Sequence, residues 1–98
     1  MSPLPADLKD ELQKEYASTF DEKIKELEEA MSEESPRKLR EIFHKLAGSG
    51  KTYEMEEISN ISRQCEELLT ETFPKKTILD AIHSLKKIFK QEKSRLNL

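Results

Sequence analysis

Apolar positions recur along this chain with a period near 3.6 residues, and no stretch shows the period of two that marks a half-buried strand. In the first third they fall at Leu8, Leu12, Tyr16, Phe20, Ile24, Leu27 and Met31. A spacing of four drifts by about 40° per step around a helix, so one straight helix would not keep Leu8 and Ile24 on the same side. The pattern therefore predicts a break. Thr19 and Glu22 stand at capping-box spacing, which separates a helix over about 5–17 from a second over about 20–32.

Ser35-Pro36 is a strong start signal, with Ser as N-cap and Pro at the first helical position, and it opens a helix over 36–52. The next, over about 54–71, carries Met55, Ile58, Ile61, Cys65 and Leu68 at helical spacing and is ended by Phe73-Pro74. The last, over about 75–94, has Ile78, Ile82, Leu85 and Phe89 on one side and closes with Lys90, Lys93 and Arg95, cations that suit the negative end of a helix dipole. Short connections between four main helices predict an all-α, up-down-up-down four-helix bundle, with the first helix as an additional N-terminal cap or kinked extension. The 98 residues are expected to form one domain, 1–98, near the lower size limit for a useful core.

The helix over 36–52 contains both of the chain's glycines, Gly48 and Gly50, just after His44. Each costs a helix interior about 0.8–1 kcal/mol relative to Ala, so something must require the missing side chains. Helical-wheel arithmetic gathers Leu39, Ile42, Leu46 and Tyr53 on one side with Phe43 on their flank, and puts His44 roughly opposite. Arg37, Arg40, Ala47, Gly48 and Lys51 share the stripe of His44. An isolated surface histidine is usually a solvated one. Here the small residues and cations around it mark a functional site.

Composition narrows the classes. Apolar residues make up 35% and charged residues 38%, enough for helices that each bury a single stripe. A formal net charge of −3 argues against nucleic acid, whose phosphates require a concentrated cationic face. One cysteine, Cys65, forms no internal disulfide and reads as a small core residue. No apolar run approaches the ~20 residues of a membrane span, so a cytoplasmic protein is expected. Gly48-Ser49-Gly50-Lys51-Thr52 resembles the end of a phosphate-binding P-loop, but the first Gly of that pattern is replaced by Lys45, and the strand before it is missing. A metal site from His44, Cys65 and His83 lacks closely spaced ligand pairs, and His83 reads as a boundary or surface residue. Acidic groups such as Glu26-Glu28-Glu29 and Glu54-Glu56-Glu57 read as solvated helix faces.

The run His44-Lys45-Leu46-Ala47-Gly48-Ser49-Gly50, followed by Thr52-Tyr53 and the apolar series Met55, Ile58, Ile61, Cys65, Leu68 and Leu69, resembles the histidine-containing phosphotransfer (HPt) domain family. That family has a motif of the form H-x-L-[KA]-G-S. The resemblance covers about 43–69 with specific spacing. It implies a helical bundle that carries a phosphoryl group on a histidine between receiver-domain aspartates in a multistep two-component phosphorelay, with His44 as acceptor and no kinase site of its own. The implied partners are response-regulator receiver domains and a hybrid histidine kinase. No cofactor is expected on this chain, the Mg²⁺ being brought by the receiver. The chain departs from the family in having Lys51 and Glu54 where Gly is common, and Ala47 where many members have Lys.

A neutral imidazole nitrogen is a good nucleophile near neutral pH, since its unperturbed pKa is about 6.5. On this reading Gly48 leaves room for the phosphoryl group or the incoming receiver, and Arg37, Arg40 and Lys51 supply positive potential. Lys51 is the expected stand-in for the lysine absent at Ala47. Lys45 lies among the receiver-facing surroundings, and Glu66, on the neighbouring helix, orients a nearby cation. The competing reading is a non-catalytic helical interaction module that docks a signalling partner. Such a scaffold would gain stability by filling Gly48 with Ala.

Overall fold

Residues 4–98 are described in a computed structural model. They form five helices, α1 (Lys9–Ala17), α2 (Phe20–Ser32), α3 (Pro36–Thr52), α4 (Glu56–Leu68) and α5 (Lys75–Arg95), with no strand among the described residues. The last four make an up-down-up-down bundle in which α3 packs on α2 and α4, and α5 closes the ring against α4 and α2. Asp21 pairs with Lys93 and Glu28 with Lys86, so α2 and α5 run in opposite directions. Leu27, Leu39, Phe43, Leu46, Ile58, Ile78, Ile82 and Leu85 fill the centre and are inaccessible to solvent or nearly so. Phe20 stacks on Phe89 with ring centroids 4.0 Å apart.

The break predicted in the first third is present, but its chemistry differs from a capping box. Thr19 keeps helical dihedrals and donates its hydroxyl to the Tyr16 carbonyl at 2.7 Å, leaving no side-chain cap for α2. Ser18 does the same to the Glu15 carbonyl. These two hydroxyls add to the backbone bonds at the end of α1, where the Ser18 amide donates to the Lys14 carbonyl and the Thr19 amide to the Tyr16 carbonyl. The joint is thus a two-residue kink. The α1 helix then lies across the end of the bundle, where Tyr16 stacks on Tyr53 at 4.5 Å and the buried Gln13 donates to the Tyr53 carbonyl and accepts from Arg95.

Ser35 caps α3 as expected, accepting from the Lys38 amide with Pro36 in the first turn. Three other expectations are corrected. The α1 helix starts at Lys9 and not near residue 5, because Pro5–Leu8 form a turn closed by a Leu8 amide to Pro5 carbonyl bond; Leu8 is left exposed. The α4 helix spans Glu56–Leu68 and not 54–71. At its start Glu54 has φ 59°, which no helix accommodates, and at its end Thr70 and Thr72 direct their hydroxyls to the Glu66 and Leu68 carbonyls. Leu69, and not Leu68, is the residue buried there.

Candidate functional site

The surface around His44 is set by how closely α3 and α4 approach. Gly50 lies against the first turn of α4, where a Cβ would come within 2.8 Å of the Ser59 backbone nitrogen and 3.2 Å of the Met55 carbonyl oxygen. One turn earlier the Ser59 hydroxyl donates to the Ala47 carbonyl at 2.7 Å. Small residues facing each other along this seam let the two backbones nearly touch. The turn between the helices is closed by the Met55 amide on the Gly50 carbonyl and the Glu54 amide on the Lys51 carbonyl, the paired bonds of a Schellman motif. Glu54 thus occupies the left-handed position that favours glycine.

Close packing also corrects the predicted orientation of α3. Its buried residues are Leu39, Phe43, Leu46, Ala47 and Gly50, while Ile42 and Tyr53 are only half-buried. The centre of that face lies about 115° from His44 by helical arithmetic, not opposite it. Ala47, expected on the exposed stripe, is therefore buried against α4. His44 stands at the rim of the seam, its side chain 74% exposed.

From this rim position the imidazole meets Glu66 of α4. His44 Nδ1 and Glu66 Oε2 are 2.6 Å apart. An ionised carboxylate only accepts, so the hydrogen bond requires the proton on Nδ1, and in the neutral ring this leaves the Nε2 lone pair free. The sequence reading gave Glu66 the task of orienting a cation; the structure has it hold the imidazole itself. The pair fixes tautomer and ring orientation together.

The remaining predicted site residues divide into two groups. Arg40 and Lys45 line a shallow groove of about 310 Å³ together with Glu41, His44 and Glu66. Arg37 points its guanidinium to Glu41 at 3.1 Å, one turn further away. Gly48 and Lys51 do not line the groove. Lys51 is exposed about 10 Å along the helix axis from His44. Side chains on a helix lean toward its N-terminus, so the imidazole covers the turn holding Arg40 and Glu41, and Lys51, two turns on, covers the turn of Ala47 and Gly48. A Cβ on Gly48 would meet nothing within 4 Å. The two glycines therefore have separate causes, with Gly50 required by internal packing and Gly48 by nothing inside the molecule.

The P-loop-like run 48–52 lies inside or at the end of α3. His83 is exposed on α5, and Cys65 is buried, its thiol pushed up to about 11 by desolvation. No cluster of three potential metal ligands occurs among the described residues, and no helix there is long and apolar enough to cross a membrane. Sequence reasoning missed Gln13 and Tyr16, which tie α1 to the end of α3, Tyr16 through a 2.8 Å hydrogen bond with Ser49. Their polar atoms on an otherwise apolar stripe were the available signal. Compared with known families, the chain matches the sequence model of the Hpt domain over residues 11–78, a span that holds both His44 and Glu66. No curated protein and no solved structure matches it significantly.

Proposed function

The chain belongs to the Hpt domain family, whose members are histidine phosphotransfer modules of phosphorelays and not kinases, and we propose that its phosphoryl acceptor is His44. One observation supports this reading above the others: Nδ1 of an exposed imidazole is hydrogen-bonded to Glu66, so that in the neutral ring Nε2 is the nitrogen with a lone pair to offer. In the proposed step Nε2 attacks the phosphorus of a receiver aspartyl phosphate in line. The Nε2–P bond forms, the P–O bond breaks, and the aspartate leaves as a carboxylate with the bonding electrons.

The proton stays on Nδ1, so the ring becomes a cation while the phosphoryl group remains anionic. Glu66 then faces a positively charged ring and stabilises it through a charge-assisted hydrogen bond. Transfer of this kind demands positioning and charge stabilisation more than acid or base chemistry. The receiver would bring the Mg²⁺ that neutralises the transferring group. Return of the phosphoryl group to a second receiver reverses the same bonds. A hybrid histidine kinase as the ultimate source, and a cytoplasmic location, complete the proposal.

The test is incubation with a panel of phosphorylated receiver domains. An acid-labile, alkali-stable phosphoryl label is expected on the wild type and absent from His44→Gln. A folded His44→Gln protein that still accepts the label would overturn the assignment.

A further inference from the structure

Resting on the proposed role of His44, we infer that Arg40 is the phosphoryl-binding cation of this site, in the position's i−4 neighbour and not on its C-terminal side. The reasoning starts from charge. Phosphorylation adds an anionic group beside the Glu66 carboxylate, so the groove needs positive charge that is not already engaged. Its two carboxylates are occupied, Glu41 by Arg37 and Glu66 by His44. Among the described residues no carboxylate lies within ion-pair distance of Arg40 or Lys45, the two cations lining the groove.

Direction then separates those two. Arg40 lies one turn before His44 and about 40° from it around α3, whereas Lys45 is about 100° away toward α2. The imidazole leans toward the N-terminus of α3 and so over Arg40. Residues at i and i−4 have Cβ atoms about 5–6 Å apart, which puts a phosphoryl group on Nε2 within reach of the long Arg40 side chain. A guanidinium presents parallel N–H donors that match two phosphoryl oxygens, which an ammonium does not. Lys51 and Arg37 lie outside the groove. The lysine missing at Ala47 would project from a buried position.

The experiment phosphorylates the intact protein with phosphoramidate, which needs no partner. The Nε2–P bond forms while the P–N bond of protonated phosphoramidate breaks and ammonia leaves. Acceptance by Arg40→Ala is expected to be slower by about two- to five-fold, the range of exposed charge interactions, with partial recovery in Arg40→Lys and a gap that narrows with salt. Lys87→Ala, on the outer surface of α5, is the charge-matched control and should accept at the wild-type rate. In ¹⁵N-labelled wild type, the Arg40 Nε–H resonance should shift on phosphorylation, and the ³¹P resonance of the phosphohistidine should differ between wild type and Arg40→Ala. Normal phosphorylation of His44 with an unmoved Arg40 resonance and an unchanged rate in Arg40→Ala overturns this inference alone. Absence of any phosphohistidine in the wild type overturns it together with the proposed function.

Discussion

Replacing each glycine of α3 by alanine should move stability in opposite directions. At Gly48 the new methyl meets nothing within 4 Å, so only the helix preference acts. That preference is worth about 0.8–1 kcal/mol, which raises the melting temperature by roughly 3–8 °C in a domain of this size. At Gly50 the same gain applies, but the methyl would sit 2.8 Å from the Ser59 amide nitrogen and 3.2 Å from the Met55 carbonyl oxygen. Both are backbone atoms and cannot rotate aside. Relief requires α4 to move outward, which loosens the Ser59 to Ala47 hydrogen bond and the Met55 to Gly50 turn bond. Overpacking of this kind costs about 1–3 kcal/mol, and the lost hydrogen bonds about 1 kcal/mol each. After the helix gain, Gly50→Ala should be about 2–4 kcal/mol less stable than wild type. Urea unfolding followed by circular dichroism measures both changes as midpoint shifts at an unchanged slope. A Gly50→Ala protein as stable as Gly48→Ala would refute the argument that helix contact fixes Gly50. Phosphoryl acceptance adds a second contrast, because Gly48→Ala, though more stable, crowds the approach of a receiver and should transfer more slowly.

Glu66→Gln keeps a hydrogen-bond acceptor but removes the charge facing the phosphorylated ring, so transfer should slow by about three- to ten-fold, with Glu66→Ala slower still; equal rates in all three proteins would show that Glu66 does not hold the imidazole. Glu54→Gly relieves a left-handed residue, a backbone gain of about 0.5–1 kcal/mol set against the side-chain contacts of Glu54, of which the 3.9 Å surface pair with Lys9 is one of small worth, and a raised urea midpoint is expected. Cys65, with its thiol at about 11 against an ordinary value near 9, should resist thiol reagents until the protein unfolds. Its native pKa lies above the unfolded one, so its contribution is fully present below about pH 9 and lost as pH rises toward 11. Stability should therefore fall over that window in wild type and fall less in Cys65→Ala.

The sequence was most informative where structure is decided by neighbouring residues. Ser35-Pro36 carries its own capping chemistry, so the start of α3 is legible, whereas α2 lies over Phe20–Ser32 as expected although the Thr19–Glu22 capping box that marks its start does not form. The ends of α4 were not, because the φ of Glu54 and the hydroxyl contacts of Thr70 and Thr72 are settled by the turn geometry. At the site, the exposure of His44 followed from the wheel, but its angle to the core did not. Ile42 looked central by hydrophobicity, whereas the close approach at Gly50 turns Ala47 and Phe43 inward and carries His44 to the seam. For the same reason Glu66 could be placed on the neighbouring helix from sequence, but its 2.6 Å contact could not.

The Nδ1 hydrogen bond to Glu66 also has a kinetic consequence. With one ring nitrogen committed to the protein, the proposed acceptor His44 would offer a single lone pair through which the phosphoryl group must both arrive and depart. Donor and recipient cannot occupy that approach together, so no complex of three proteins can form across it. On the proposed function, exchange would then run as a double displacement, with the phosphorylated chain released as a free species between two encounters. Each receiver would then be a competitive inhibitor of the other, and flow through the relay would be governed by their relative concentrations and their affinities for one shared surface.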